Sequence, residues 1–291
     1  MKLTKSQLGP FELYSIPTGD FRLDGGAMFG VVPKTLWSRS LAADEKNRIP
    51  MTMRCLLIKS QNTGRVYLID NGAGDKFDEK MSNIYDLDYS EHTLEQSLRD
   101  QGFEKSDITD IIFTHLHFDH CGGSTFFDEA GALNMNFPDA THHINERHWE
   151  TAINPNKRER ASFLKENIGP LKDFDKVNLV PDNHEFEDGL NSIVVNGHTI
   201  GQQLPRIEAG GKTLVFVADL LPTHVHVPLP WVMGYDMYPA DTLQEKELFL
   251  EKAVEENWYL FLEHDAHEEI IQLQKDGHKY GVAATLTLDE L

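Results

Sequence analysis

"FTHLHFDHCGG", Phe113 to Gly123, places three histidines and one aspartate within the six positions His115–His120. The segment follows the apolar run "DIIF" (Asp110–Phe113), so a buried strand is expected to deliver the cluster at its end. In an extended chain alternate side chains share a face, which points His115 and His117 the same way. Asp119 and His120 follow as the chain leaves the strand and can turn toward a second nearby point. Neutral imidazole and carboxylate are ligands that zinc, iron or manganese accept. One tetrahedral cation with an open position cannot take all four groups, whereas two adjacent cations can share them.

Two cations need more ligands, and later strand ends offer them. "NSIVVNGHTIG" puts His198 after an apolar run, "TLVFVADLL" puts Asp219 after another, and "WYLFLEHD" puts His264 after a third. Asp219 is the candidate bridge, because both oxygens of a carboxylate at the end of a buried strand need partners. Cys121 is left outside the site, since a small residue before two glycines also suits tight packing.

Around these positions the pattern alternates between strands and helices. "FELYSI" and "FRLDGGAMFGVV" read as β runs, and "MRCLLIKS" and "RVYLIDNG" flank the hairpin signal "QNTG". Leu94 and Leu98 mark an amphipathic helix over Glu91–Gln101 that ends at Gly102. "ATHHIN" is an expected strand. "ERHWETAI" and "KRERASFLKENIG" are expected helices, the second stopping at Gly169-Pro170. Strand signals return from Lys176, interrupted by a helix over Leu243–Glu256. The order implies two related β/α halves, and one domain over residues 1–291.

The chain of 291 residues carries a formal net charge of −20, which repels phosphate backbones and anionic lipid, so neither nucleic acid nor membrane is expected as a partner. No apolar stretch approaches the roughly 20 residues of a membrane span, and the N-terminus lacks the apolar core of a secretion signal. A cytoplasmic location is the corresponding expectation. Two cysteines make a disulfide framework an unsuitable account of the fold.

"THLHFDH", followed in order by "GHTIG", "FVADLL" and "LEHD", resembles the metallo-β-lactamase superfamily. The resemblance implies an α+β fold, a four-layer αββα sandwich with a dinuclear site between its sheets. It implies two Zn(II) per chain, with iron or manganese as alternatives. His115, His117 and His198 would hold one metal, Asp119, His120 and His264 the other, and Asp219 would bridge them. Asp70 in "LIDNG" matches a supporting aspartate near the metals. Ile200 and Gln202 depart from the family's usual proline and histidine in the third-ligand motif, and neither is a ligand.

Within that superfamily, an aspartate at position 219, where many true β-lactamases carry cysteine, argues against lactam cleavage. "LDGGAMFGVVPKTLW" (Leu23–Trp37) and "ADLLPTHVHVPLPWVMGYDMYP" (Ala218–Pro239) are similar to segments of the quorum-quenching N-acyl homoserine lactonase and methyl parathion hydrolase-like branch. The expected activity is therefore opening of acyl homoserine lactones by attack of a bridging hydroxide. A phosphotriesterase or aryl esterase, or a glyoxalase-type thioesterase, is the alternative. Asp119 and Asp219 are the candidate catalytic residues. Phe29, Trp231 and Tyr235 are the candidate substrate contacts for a small lipophilic lactone or ester. Pro222 stands where several lactonases carry a carbonyl-orienting tyrosine, which leaves Tyr235 or Tyr238 to supply a hydroxyl. A homodimer is compatible with this branch.

Overall fold

In the computed structural model, which describes residues 3–291, two seven-stranded sheets lie face to face. The first contains β1 (Lys5–Leu8), β2 (Phe11–Asp24), β3 (Arg48–Ser60), β4 (Val66–Ile69) and β5 (Asp110–Ile112). After a separate hairpin, β6 (Thr125–Phe127) and β7 (Leu133–Met135), it is completed by β8 (Thr141–Asn145) and β9 (Val177–Val180). The second sheet runs in chain order through β10 (Glu185–Glu187), β11 (Leu190–Val195), β12 (Gln202–Ala209) and β13 (Lys212–Phe216), then β14 (Tyr259–Phe261), β15 (Ile270–Asp276) and β16 (Lys279–Leu286).

Alternation along the strands explains the layers. Leu56, Ile58, Tyr67 and Ile69 face the second sheet and join Leu204, Val215 and Phe261 in one core. Their neighbours Cys55, Leu57 and Leu68 face the opposite way, onto the helices Leu94–Asp100 and Lys165–Asp173. A sheet buried on both faces reads as the continuous apolar runs seen in "RCLLI" and "VYLI". The helix Pro239–Glu255 adds Phe249, Leu250 and Ala253 on the second sheet's side. The expected αββα arrangement is the one observed.

Each sheet holds an antiparallel meander followed by a parallel crossover, β4 to β5 in the first and β13 to β14 in the second. Parallel neighbours present their C-terminal ends at the same edge. Asp70 directly follows β4, and His115, Asp219 and His264 each lie three residues past β5, β13 and β14. The two crossovers thus aim four functional side chains at one crevice.

Several expectations need correction. β5 is three residues long, because the Thr114 N–H turns to Asp70 Oδ1 (2.8 Å) and leaves the ladder. The β reading of "FRLDGGAMFGVV" holds only to Asp24; Gly25–Phe29 is a short helix capped by Asp24. Gly25 is required there, since a Cβ would lie 2.4 Å from the Trp37 ring. The helix placed over residues 157–169 begins instead at Lys165 and runs through Pro170 to Asp173. Proline cannot donate to Glu166 O four residues back. The Thr125 hydroxyl donates to that carbonyl at 2.9 Å, so the helix continues. The last helix starts at Pro239, four residues early, because proline is accommodated in a first helical turn. Among the described residues no helix is long and apolar enough to cross a membrane.

Candidate metal centre and cleft

The one-turn helix Phe118–Cys121 follows His117 and carries Asp119 and His120 into the crevice. Its position depends on close backbone contact with the loop after β4: a Cβ on Gly122 would lie 2.0 Å from Ala73 O, and Asn71 N–H donates to His120 O at 2.9 Å. Asp70 (φ 56°) and Ala218 (φ 40°) adopt left-handed backbone conformations beside the cluster, a strain that the surrounding packing must hold.

The seven candidate ligands converge in two groups, His115, His117, His198 and Asp219 in one, Asp119, His120 and His264 in the other, all buried. In the first, His117 Nδ1 lies 3.0 Å from His115 Nε2 and 3.2 Å from His198 Nε2. In the second, His264 Nε2 is 3.2 Å from His120 Nε2. Asp219 reaches both, with Oδ2 3.0 Å from His198 Nε2 and Oδ1 3.1 Å from His264 Nε2.

The outward-facing nitrogens are held by acceptors. His198 Nδ1 donates to Asp236 Oδ1 (3.0 Å), His117 Nε2 to Glu159 Oε1 (3.2 Å), and His264 Nδ1 to Thr52 O (2.9 Å). His120 Nδ1 faces Asp70 Oδ2 (3.0 Å) and Glu263 Oε2 (3.1 Å). His115 Nδ1 donates to Thr114 Oγ1 (3.0 Å), whose own proton goes to Asp70 Oδ2 (2.6 Å). With protons on the outer nitrogens, the inner ones present lone pairs to one another, which only positive charge satisfies. Asp219 Oδ1 is buried with no hydrogen-bond donor aligned to it. Both observations fit divalent cations.

The titration behaviour of the metal-free chain agrees. Burial opposes protonation of His198 and His264, yet the facing Asp219 carboxylate raises them to about 10 and about 9. Burial and the neighbouring imidazoles hold His115 well below its ordinary value. Burial also works against ionising Asp219, but His198 and His264 overcome it and keep the carboxyl strongly depressed. Protons and metal therefore compete for the same charge. Behind the cluster, burial pushes Glu263 up to about 7.

The centre forms the floor of a cleft of about 380 Å³. Its walls include Leu23, Met28, Met51, Phe118, Met233 and Met237, so most of the surface is apolar. Tyr85, Arg158, Glu159 and Tyr235 supply polar groups, and Asp119 lines it directly. Burial raises the Tyr235 hydroxyl to about 12, which keeps it a hydrogen-bond donor.

Of the three aromatics expected at the substrate, only Tyr235 lines the cleft. Phe29 is fully buried, stacked on His226 (ring centroids 4.5 Å apart) and on Trp37 (5.1 Å). Trp231 packs edge-on against Phe29 (5.7 Å). Phe29 belongs to the core beneath the loop, and Trp231 is partly buried against that core. Tyr238 precedes the helix Pro239–Glu255 and does not line the cleft. His226 supports Phe29 and bonds Met28 O (2.9 Å), whereas His224 bonds Asp265 (2.5 Å). Cys121 is packed, its thiol donating to Leu116 O (3.3 Å). His148, given no role from sequence, accepts from Leu116 N–H at 2.7 Å and donates to Ile200 O at 2.9 Å, bracing the His115–His117 loop.

A model of the metallo-β-lactamase superfamily matches residues 54–264. An N-acyl homoserine lactonase of Bacillus thuringiensis is 25% identical over 175 residues, 59% of this chain and 62% of that protein. The match thus spans less than two thirds of that curated relative. A solved structure described as a probable metal-dependent hydrolase from Staphylococcus aureus superposes with a TM-score of 0.87 at 29% identity, covering 97% of this chain and 98% of that one. A dizinc quorum-quenching lactonase, AidC, solved with a product N-acyl homoserine, gives a TM-score of 0.77 at 24% identity, covering 96% of each chain, and bears on the fold.

Proposed function

The chain belongs to the metallo-β-lactamase superfamily, and from that premise we propose that it is a metal-dependent hydrolase opening lipophilic lactones, with N-acyl homoserine lactones as the substrate class. His115, His117 and His198 would hold one cation and Asp119, His120 and His264 the other, with Asp219 shared, and zinc suits this donor set. Bound there, two divalent cations supply Lewis acidity toward the ester and lower the pKa of water. The shared apolar core between the sheets supports one hydrolase domain over the whole chain.

The remaining steps fall to the chain's own residues. The methionine-rich wall buries the acyl tail and excludes water from the ester. The Tyr85 and Tyr235 hydroxyls are available to orient its carbonyl. Asp119, buried at the cleft floor, takes the proton from the attacking water and returns it to the ring oxygen as the C–O bond breaks. Water is consumed and an N-acyl homoserine released. The carrying observation is Asp219 within 3.1 Å of both imidazole groups beneath an apolar cleft.

A glyoxalase-type substrate is disfavoured, because Arg158 is the one Lys or Arg among the described lining residues and glutathione carries two carboxylates. A phosphotriester or aryl ester fits the aromatic wall of Tyr85, Phe118 and Tyr235 and is the second reading. The test is side-by-side turnover of N-hexanoyl homoserine lactone, phenyl acetate and paraoxon by zinc-loaded protein. Ring opening should dominate; faster paraoxon cleavage would remove the lactonase reading.

A further inference from the structure

The segment Asn154–Leu164 crosses one side of the cleft, between the helices Glu146–Ile153 and Lys165–Asp173, and two adjacent residues in it reach in opposite directions. Glu159 points down to the metal centre. The residue is 4% exposed, and Oε1 accepts from both His117 Nε2 (3.2 Å) and the Thr199 hydroxyl. Oε2 accepts from Asn156 Nδ2 at 3.1 Å. Arg158 points sideways to the opposite wall, where its guanidinium donates to Gly234 O and to Asp236 O (3.3 Å). Asp236 in turn holds His198.

His117 differs from its partners in the cluster. His115, His120, His198 and His264 all turn Nε2 inward, whereas His117 turns Nδ1 inward. An imidazole used in that way needs its proton on Nε2 and its ring prevented from rotating about Cβ–Cγ, which would face a carbon to the cluster. The Glu159 carboxylate supplies both conditions, because it accepts only at the Nε2 position. Phe163, edge-on to the ring at 5.0 Å, restricts the same rotation.

We propose that the Arg158–Glu159 dipeptide is a strap joining the cleft wall to the metal centre. Glu159 is the positioning residue for His117, and Arg158 is a specificity-determining residue that sets where the Met233–Met237 wall stands. This rests on the reading of the cluster as a metal centre.

The test separates the two. In metal-free protein, ring ¹⁵N shifts should show His117 as the Nε2–H tautomer, and Glu159→Ala should give a mixture. That measurement needs no metal, so it decides the role of Glu159 even if the wild-type chain takes up none, an outcome that would sink the metal reading alone. With metal, Glu159→Ala should weaken one of two binding events about 10–100-fold in chelator competition and alter the visible spectrum of the cobalt-substituted protein. Glu159→Gln, which keeps an acceptor, should recover part of both. Arg158→Ala should leave metal content at the wild-type level while changing the ratio of KM values for short and long acyl lactones, and Arg158→Lys should restore it in part. An unchanged His117 tautomer in Glu159→Ala overturns the positioning role. An unchanged KM ratio in Arg158→Ala overturns the strap.

Discussion

Replacing Asp219 with alanine removes the carboxylate that stands 3.0 Å from His198 Nε2 and 3.1 Å from His264 Nε2. A unit charge acting at 4 Å through an effective dielectric of 20 contributes about 4 kcal/mol, or three decades in affinity. A dication doubles that attraction, and relief of the buried carboxylate's desolvation takes back a comparable amount, so roughly 10³-fold remains the working figure. Each imidazole group also loses a ligand atom. Metal analysis after dialysis against a weak chelator should fall from two equivalents to one or fewer, with turnover lost in parallel. Asp219→Asn, which keeps the shape and removes the charge, should behave like the alanine variant. In metal-free protein the elevated protonation of His198 and His264 should relax toward ordinary imidazole values, visible by NMR. Retention of two equivalents at wild-type affinity would refute the shared-ligand reasoning.

Three further outcomes follow from the packing. Lys246 is fully buried and donates to the carbonyls of His226, Pro228 (2.9 Å) and Trp231 (3.0 Å), so Lys246→Met removes three hydrogen bonds under the cleft loop, and of the three carbonyls Pro228 O keeps a donor in the Trp231 N–H (3.0 Å). The net loss should be roughly 2–4 kcal/mol, lowering Tm by about 5–10 °C in calorimetry; an unchanged Tm would mean the ammonium's desolvation cancels its bonds. Phe29→Ala should cost about 3–5 kcal/mol in chemical denaturation, with KM for a short-chain lactone held at wild type, since the ring lies in the core. A KM change without a stability loss would return Phe29 to the cleft. Burial opposes ionisation of Asp110, but His143 (2.8 Å) and Thr109 (2.7 Å) hold its pKa below the ordinary value. Its folded pKa being depressed, this contribution is present above the unfolded value of about 3.9 and is lost as pH falls through the folded value. Asp110→Asn should therefore flatten the stability slope below about pH 4 in urea titrations, and an unaltered slope would contradict the assignment.

The seven converging residues were legible because each combines two local signals. Each sits at or just past the end of an apolar run, and each is a ligand-type side chain that burial would otherwise penalise. The hairpin over β3 and β4 and the paired β/α halves were equally readable, since their periodicities are properties of a few consecutive residues. Phe29 and Trp231 were misread for the converse reason. An aromatic in an apolar loop has the same sequence signature whether it faces a cleft or a core. Glu159, Asp236 and Glu263 were not singled out. Glu159 lies in the charged run "NKRER", where an acidic residue is ordinarily solvated, while Asp236 and Glu263 lie in largely apolar stretches, and they become partners of distant imidazoles only across separations such as 42 positions for His117 and Glu159.

By itself, the order of residues determined the strands, the donor chemistry and the edge at which the donors would gather, because alternation and apolar runs act over a few positions. Tertiary structure alone decided which carboxylate orients which imidazole, which aromatics line the cleft, and that the helix Lys165–Asp173 could pass through Pro170. Those outcomes depend on hydrogen bonds and packing between segments brought together by the apposed sheets, such as Thr125 on Glu166 and Arg158 on Gly234. No local pattern encodes a partner forty residues away.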